Sequence, residues 1–338
     1  MKKQVAVIGA GAWGTALALL LAENGNQVTL WSSSEEKAAL LRAERRNPSL
    51  PAAVLPENMG ITASLQEAAE AGRMTVLAVA SVYTRQTARR LKPYLPAGQL
   101  LICTAKGIEE RTLKFQTEQV GEALPQARIA CLSGPSHAEE VVRGLPTTCV
   151  AGAEERETAE EVQALFMNRN FRVYTSPDLL GIELGGAIKN VIALAAGIAD
   201  GLGYGDNTKA ALITRGIAEL TRLGIRMGAS AETFAGLTGI GDLIVTCASM
   251  HSRNRRAGIL IGKGRSPEEA MREVDQVVEG VYSARAALAL AEKYAVAMPI
   301  VREVNRILFE GKNPEDAVRD LMLRDPVEET SWRYPSAR

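Results

Sequence analysis

The chain has 338 residues, more than a single hydrophobic core usually organises, so two domains are expected. Its 39 basic and 39 acidic residues cancel, which speaks against a nucleic-acid or membrane surface and for a small-molecule partner. The four cysteines, Cys103, Cys131, Cys149 and Cys247, form no C-x-x-C pair, so reduced thiols and no metal site are expected.

An apolar strand at residues 5–8 runs into Gly9-Ala10-Gly11-Ala12-Trp13-Gly14 and then into an Ala- and Leu-rich helix. That order is the context a dinucleotide-binding turn requires. Gly9 permits the tight turn, Gly11 has no Cβ to block a pyrophosphate, and Gly14 lets the helix lie close on the strand. The phosphates then meet unpaired N–H groups at the helix start. A second strand, residues 28–31, leads to Ser32-Ser33-Ser34-Glu35-Glu36, about 20 residues on, where an acid usually meets the adenosine ribose. The hydroxyls of Ser32, Ser33 and Ser34, with Arg42, Arg45 or Arg46 nearby, suit a 2′-phosphate and favour NADP. Glu35 suits NAD, and Ser34 alone suits a helix cap.

A proline-punctuated loop covers residues 47–58 and a short strand follows near 61–63. Apolar runs at 74–80, 99–104 and 128–132 then alternate with helical stretches. The alternation predicts an α/β Rossmann-type doubly wound sheet, parallel, with helices on both faces and ligands beyond the carboxyl ends of its strands. Three such ends are candidates: Ala80-Ser81-Val82, Thr104-Ala105-Lys106-Gly107 and Ser133-Gly134-Pro135-Ser136-His137. Lys106 either projects an ammonium into the cofactor cleft or is merely solvated. Ser136 and Glu139 fit a capping box, yet the same turn puts a hydroxyl and a helix start where an anionic substrate would fit. Strands at 147–151 and 171–175 close a dinucleotide-binding domain of residues 1–177.

Residues 178–330 read as an all-helical substrate and catalytic domain, and 331–338 as a tail. The helix at 179–199 carries Gly185-Gly186-Ala187-Ile188-Lys189-Asn190. Glycines inside a helix cost about 1 kcal/mol each, so this pair marks either close packing or room beside Lys189 for a ligand. A desolvated lysine has a lowered pKa and exchanges a proton near neutrality. Asp242, ending a glycine-rich turn, either caps a helix or pairs with Lys189. Ser252-Arg253-Asn254-Arg255-Arg256 offers a phosphate bidentate donors and free N–H groups, unless it is a solvated basic face. With His137 and His251 the only histidines, Ser-His-Asp or His–metal chemistry is not expected. Residues 191–199 fall short of the roughly 20 a membrane span needs, and the apolar run behind Met1-Lys2-Lys3 is a strand rather than a signal sequence, so a cytoplasmic protein without membrane insertion is expected.

Taken together these residues resemble the bacterial NAD(P)-dependent glycerol-3-phosphate dehydrogenase family. The motifs are Gly9-x-Gly11-Ala12-Trp13-Gly14-Thr15-Ala16-Leu17, Lys106-Gly107, Gly134-Pro135-Ser136-x-Ala138-Glu139-Glu140, Lys189-Asn190, Gly239-x-Gly241-Asp242-Leu243, Ser252-Arg253-Asn254 and Val277-Val278-Glu279-Gly280. The resemblance implies reversible reduction of dihydroxyacetone phosphate to sn-glycerol 3-phosphate, a phospholipid precursor. It implies Lys189 as proton donor and acceptor, with Asp242 and Asn190 around the reacting centre. Lys106, Gly134 and Ser136 would contact substrate from the first domain, and Ser252, Arg253 and Asn254 from the second. Trp13, Lys106, Ala138, Arg253, Val277 and Glu279 would contact the cofactor, joined by Gly9, Gly11, Ala12, Gly14 and Ser33. Ala12 stands where many members have serine, and Ser32 to Ser34 where others often carry a basic residue or histidine, so the choice between a preferred NADP and an accepted NAD stays open. A two-domain β-hydroxy-acid or hydroxymethyl-acid dehydrogenase and a non-catalytic NAD(P)-binding redox sensor are the alternatives. The apolar helical half offers a face for a homodimer.

Overall fold

The computed structural model describes residues 2–274, 277–326 and 328–329; the segment 331–338, read above as a tail, lies outside them. Ten strands are present among the described residues: β1 Gln4–Ile8, β2 Gln27–Trp31, β3 Arg46–Asn47, β4 Leu50–Val54, β5 Gly60–Thr62, β6 Met74–Leu77, β7 Leu100–Cys103, β8 Arg128–Ser133, β9 Thr147–Ala153 and β10 Phe171–Ser176. Eight of them form one sheet in the order β10-β9-β8-β7-β6-β1-β2-β5. Within β1, Val5 and Val7 join a core shared with the helices Ala12–Glu23 and Arg156–Phe166. Ala6 and Ile8 point the other way, into a core shared with Leu65–Ala71, Thr84–Leu91 and Gln116–Ala123. Alternation along the strand thus covers both faces with helices. The chain leaves β1 for β2 and β5, then returns to place β6 on the opposite side of β1. This reversal opens a crevice at the carboxyl ends of β1 and β6.

Two expectations are corrected. The sheet is not wholly parallel, because β9 runs antiparallel to β8 and carries β10 with it. Between β8 and β9 the chain forms only the short helix Ala138–Val141, so no long element carries it back across the sheet. Residues 47–58 are not all loop either: β3 and β4 pair as a small antiparallel ribbon. Both its strands are edges, where Pro51 is tolerated. Asn47, fully buried, donates through Nδ2 to the Ala10 carbonyl at 3.1 Å and the Thr15 hydroxyl at 2.6 Å, which docks the ribbon on the glycine turn.

From Leu179 onward the described chain is helical. Its axis is the helix Leu179–Gly201, long and apolar enough to cross a membrane by length and composition, contrary to the short run counted from the sequence. Every residue from Gly181 to Ala199 is buried inside the protein, so it serves as the core around which the other helices pack. The helix Arg253–Gly262 lies directly against it. A Cβ on Gly197 would meet the Arg255 carbonyl oxygen at 2.1 Å, and one on Gly258 would meet that of Leu194 at 2.3 Å. Glycine on both sides lets the two backbones touch. This contact brings the start of the second helix beside Lys189 and Asn190.

Candidate active site

On the sheet side, Gly9 (φ 125°) turns the chain against Ala78, and a Cβ on Gly14 would strike the Gly9 carbonyl oxygen at 1.9 Å. A Cβ on Gly11 would meet nothing within 4 Å. The helix Ala12–Glu23 therefore starts at an open concavity, with no side chain capping its first N–H groups. Such a cradle fits a dinucleotide pyrophosphate. It forms one wall of a cleft of about 390 Å³ lined also by Ala78 to Ala80, Lys106, Ser136 to Glu139, Lys189, Asn190, Ser252 to Asn254 and Glu279.

Lys106, one turn beyond β7, donates through Nζ to the Gly134 carbonyl at 2.9 Å and pairs with Asp242 Oδ2 at 2.5 Å. Gly134, at φ 139°, lies so close to Cys149 that a Cβ there would sit 3.0 Å from its Cα. Ser136 donates its hydroxyl to the Gly134 carbonyl at 3.0 Å. The capping box expected of Ser136 and Glu139 does not form, because the helix begins at Ala138 with His137 as its uncapped boundary residue. The serine's short side chain is spent on the turn before the helix starts.

Lys189 projects from the core helix into the same cleft and is only 6 % exposed. Its Nζ pairs with Asp242 Oδ1 at 2.5 Å and donates to the Thr246 hydroxyl at 2.9 Å. Asp242, 1 % exposed, thus bridges two ammonium groups, one from each half of the chain. Burial lowers the Lys189 pKa to about 7, since desolvation outweighs the attraction of Asp242, with the Lys106 charge acting in the same sense as burial. Burial also works to raise the Asp242 carboxyl, but the Lys106 and Lys189 charges override it and hold its pKa down. A π-helical turn, Leu237–Gly241, precedes Asp242 and packs so tightly that a Cβ on Gly185 would meet the Thr238 carbonyl oxygen at 2.4 Å. The Gly186 side leaves room for the stem of Lys106. The glycine pair in the core helix is explained by packing on both sides.

Asn190 donates to the Gly186 carbonyl at 3.3 Å, and its Oδ1 accepts from Asn254 Nδ2 at 2.9 Å. Asn254 Oδ1 in turn accepts from Gly280 N at 2.8 Å. Ser252 caps the helix Arg253–Gly262, its hydroxyl accepting from Arg255 N at 3.2 Å. Burial lowers the Arg253 pKa against the attraction of Glu279 and Glu139. Glu279 Oε1 accepts from Ser81 N at 3.0 Å, and its other oxygen accepts from the Ser81 hydroxyl. Burial raises the Glu279 pKa.

The arrangement joins an uncapped helix start, a buried lysine with its pKa lowered to about 7 and a second, basic helix start in one cleft. Models of the NAD-dependent glycerol-3-phosphate dehydrogenase N-terminus and C-terminus match residues 4–159 and 178–319. The chain belongs to this family. A relative from Agathobacter rectalis named glycerol-3-phosphate dehydrogenase [NAD(P)+] is 60 % identical over 333 residues, covering 98 % of this chain and 99 % of the relative. One of the same name from Fusobacterium nucleatum is 54 % identical, covering 97 % and 99 %. The crystal structure of glycerol-3-phosphate dehydrogenase from Coxiella burnetii superposes with a TM-score of 0.92 at 38 % identity, covering 96 % of this chain and 99 % of that one.

Among the family motifs, Trp13, Ala12, Ala138 and Val277 line the cleft together with Lys106, Arg253 and Glu279. Ser33 is exposed beyond β2, outside the residues that line it. Of the arginines expected near it, Arg42 pairs with Glu35 at 2.5 Å and Arg45 donates to the Met59 carbonyl at 3.0 Å. Both are engaged by their own surroundings; Arg46 is exposed. Sequence reading did not single out Thr246, which sits one helical turn after Asp242 and shares its face. That i, i+4 spacing was the available signal. His137 and His251 also line the cleft side by side, ring centroids 5.7 Å apart, brought together only by the fold.

Proposed function

We propose that this chain catalyses the reversible NAD(P)H-dependent reduction of dihydroxyacetone phosphate to sn-glycerol 3-phosphate, with residues 1–177 holding the cofactor and 178–330 the catalytic groups. The observation that carries this reading is the buried Lys189 ammonium, held by Asp242 and Thr246 opposite the glycine turn. The glycine turn would hold the pyrophosphate of a dinucleotide, and the chemistry supplied at the cleft would be hydride transfer. Protonated Lys189 polarises the ketone oxygen and gives its proton to the forming alkoxide; in the reverse direction neutral Lys189 takes it back. Asp242 holds the ammonium in place and favours its charged form. Asn254 fixes Asn190, which orients the reacting end.

Lys106, Gly134 and Ser136 contact substrate from the sheet side, and Ser252, Arg253 and Asn254 grip the phosphoryl group from the helical side. That grip on a group that does not react holds the carbonyl in place. Gly9, Gly11, Ala12, Trp13, Gly14, Lys106, Ala138, Arg253, Val277 and Glu279 form the cofactor contacts, and Ser33 favours NADP over an accepted NAD. The product would supply glycerophospholipid synthesis in the cytoplasm, from an enzyme that pairs as a homodimer. The test is initial rates with dihydroxyacetone phosphate, using NADPH and NADH in parallel. We expect both to be consumed with formation of sn-glycerol 3-phosphate, NADPH at the higher kcat/KM; consumption of neither removes the assignment.

A further inference from the structure

We propose that Arg256 is a second guanidinium for the substrate's phosphoryl group, acting beside Arg253, and so a determinant of selectivity for a dianionic phosphate. The proposal rests on the function inferred above. Three arginines follow one another closely in the helix Arg253–Gly262, and the structure sorts them. Arg255 turns away from the cleft and is fully engaged: its guanidinium pairs with Asp200 at 2.7 Å and donates to the Ala248 carbonyl at 2.8 Å. Arg253 and Arg256 line the cleft, and neither makes an ion pair or a side-chain hydrogen bond among the described residues. Arg256 Nε is sealed from solvent without any acceptor. A buried donor left unpaired costs about 1–3 kcal/mol, so it points to an acceptor that arrives with a ligand.

Charge and direction select which ligand. Arg253 and Arg256 repel each other, an arrangement that favours an anion between them. The pull of Arg253 is already shared by Glu279 and Glu139, so alone it under-neutralises a dianion. Side chains on a helix lean back over the preceding turn, which carries Arg256 over the first turn of its own helix. There the Ser252 hydroxyl takes only the Arg255 N–H. The cofactor pyrophosphate has its own helix start, at Gly11, on the opposite wall. A planar fork beside that first turn is suited to the substrate's phosphoryl oxygens.

The experiment compares the wild type with Arg256→Gln and Arg256→Lys. The quantities are KM for dihydroxyacetone phosphate, KM for NADPH, kcat, and the rise in melting temperature produced by inorganic phosphate. In Arg256→Gln we expect the substrate KM to rise about 30-fold, within the range for charge-assisted hydrogen bonds, while the NADPH KM stays within twofold and kcat within threefold. Arg256→Lys keeps charge and stem but loses the fork, so its substrate KM should fall between the two; it carries the test if the glutamine variant does not fold. Parallel rises in both KM values would assign Arg256 to the pyrophosphate and overturn the proposal, as would no change in either. If the wild type fails to reduce dihydroxyacetone phosphate, the functional reading itself has failed. The phosphate-induced stabilisation then still decides the anion site, supporting it if lost in Arg256→Gln and refuting it if retained.

Discussion

Two helix starts face each other across the cleft, and they handle anions by different means. The helix Ala12–Glu23 begins at a glycine, has no side-chain cap and carries no charge in its first turn, so it offers backbone N–H groups and space alone. The helix Arg253–Gly262 begins at its own serine cap and brings two guanidinium groups to the cleft. The first suits a pyrophosphate that many contacts of a large cofactor also hold. The second suits a small dianion that has little else to bind by, so its affinity must come from charge. Two further helix starts show the alternative of an internal carboxyl group. Glu183 accepts from Thr117 N at 3.0 Å, and Glu219 accepts from Ile300 N at 2.8 Å. Those starts hold carboxyl groups of the chain itself, whereas neither cleft-facing start has a carboxyl group hydrogen-bonded to its first N–H groups among the described residues.

The largest effect expected lies between the two starts. Lys189→Ala should lower kcat about 10³-fold or more, as loss of a positioned proton donor does, while NADPH affinity, read by fluorescence titration, stays within about twofold. Near-normal turnover would take the lysine out of the chemistry. Because burial holds Lys189 near 7, reduction, which needs its charged form, should lose kcat/KM as pH rises above about 7, and oxidation should lose it below. A flat profile in both directions would show that this group does not limit either. Arg253→Ala should raise the substrate KM on the order of 10²-fold, and an unchanged KM would place the phosphoryl group elsewhere. On the opposite wall, Gly11→Ala should fold normally, since the new methyl meets open space, yet weaken NADPH about tenfold by intruding on the phosphate cradle. Gly14→Ala drives a Cβ into the Gly9 carbonyl and should instead lower the melting temperature. If the two glycine variants behave alike, the turn is only structural.

The contrast between the walls also separates what the sequence disclosed from what it withheld. The three glycines of the first turn were readable one by one, because each role depends on neighbours within a few residues or on a strand known to lie beside it. The lysine and the aspartate were readable as candidates, but their bridge to Lys106 spans 136 positions and exists only once the two halves meet. Asn254 was readable as a phosphate contact, but its hydrogen bonds to Asn190 and Gly280, which set how its amide is oriented, exist only in the folded chain. The ribbon of β3 and β4 was hidden by its prolines, which deny a central strand but not an edge. The reversed β9 was hidden because alternation of strand and helix reports spacing and not direction. Glycines 197, 201, 258 and 262 carried a spacing of four in both helices, legible only as a packing motif after their partners were known.

The smallest kinetic effect is expected far from the cleft, and it isolates what a helix start alone does for an anion. Glu219 has no cation within ion-pair distance among the described residues, only the Ile300 and Val301 N–H groups at the start of Pro299–Phe309. Burial raises its pKa from 4.5 to about 7, so those donors do not outweigh desolvation. A carboxyl whose pKa is raised on folding stabilises the fold most below 4.5, and that advantage is lost as pH rises through 7, because the folded state binds the extra proton in between. Over that window the loss is about 3 kcal/mol. Glu219→Gln keeps one acceptor for Ile300 N and does not titrate. Its denaturation free energy should therefore gain on the wild type by roughly that amount between pH 5 and 8, with kcat unchanged. Parallel stability curves would mean that Glu219 stays charged throughout and that backbone N–H groups can hold a buried anion unaided. The guanidinium groups at the start of Arg253–Gly262 would then serve selectivity rather than neutralisation.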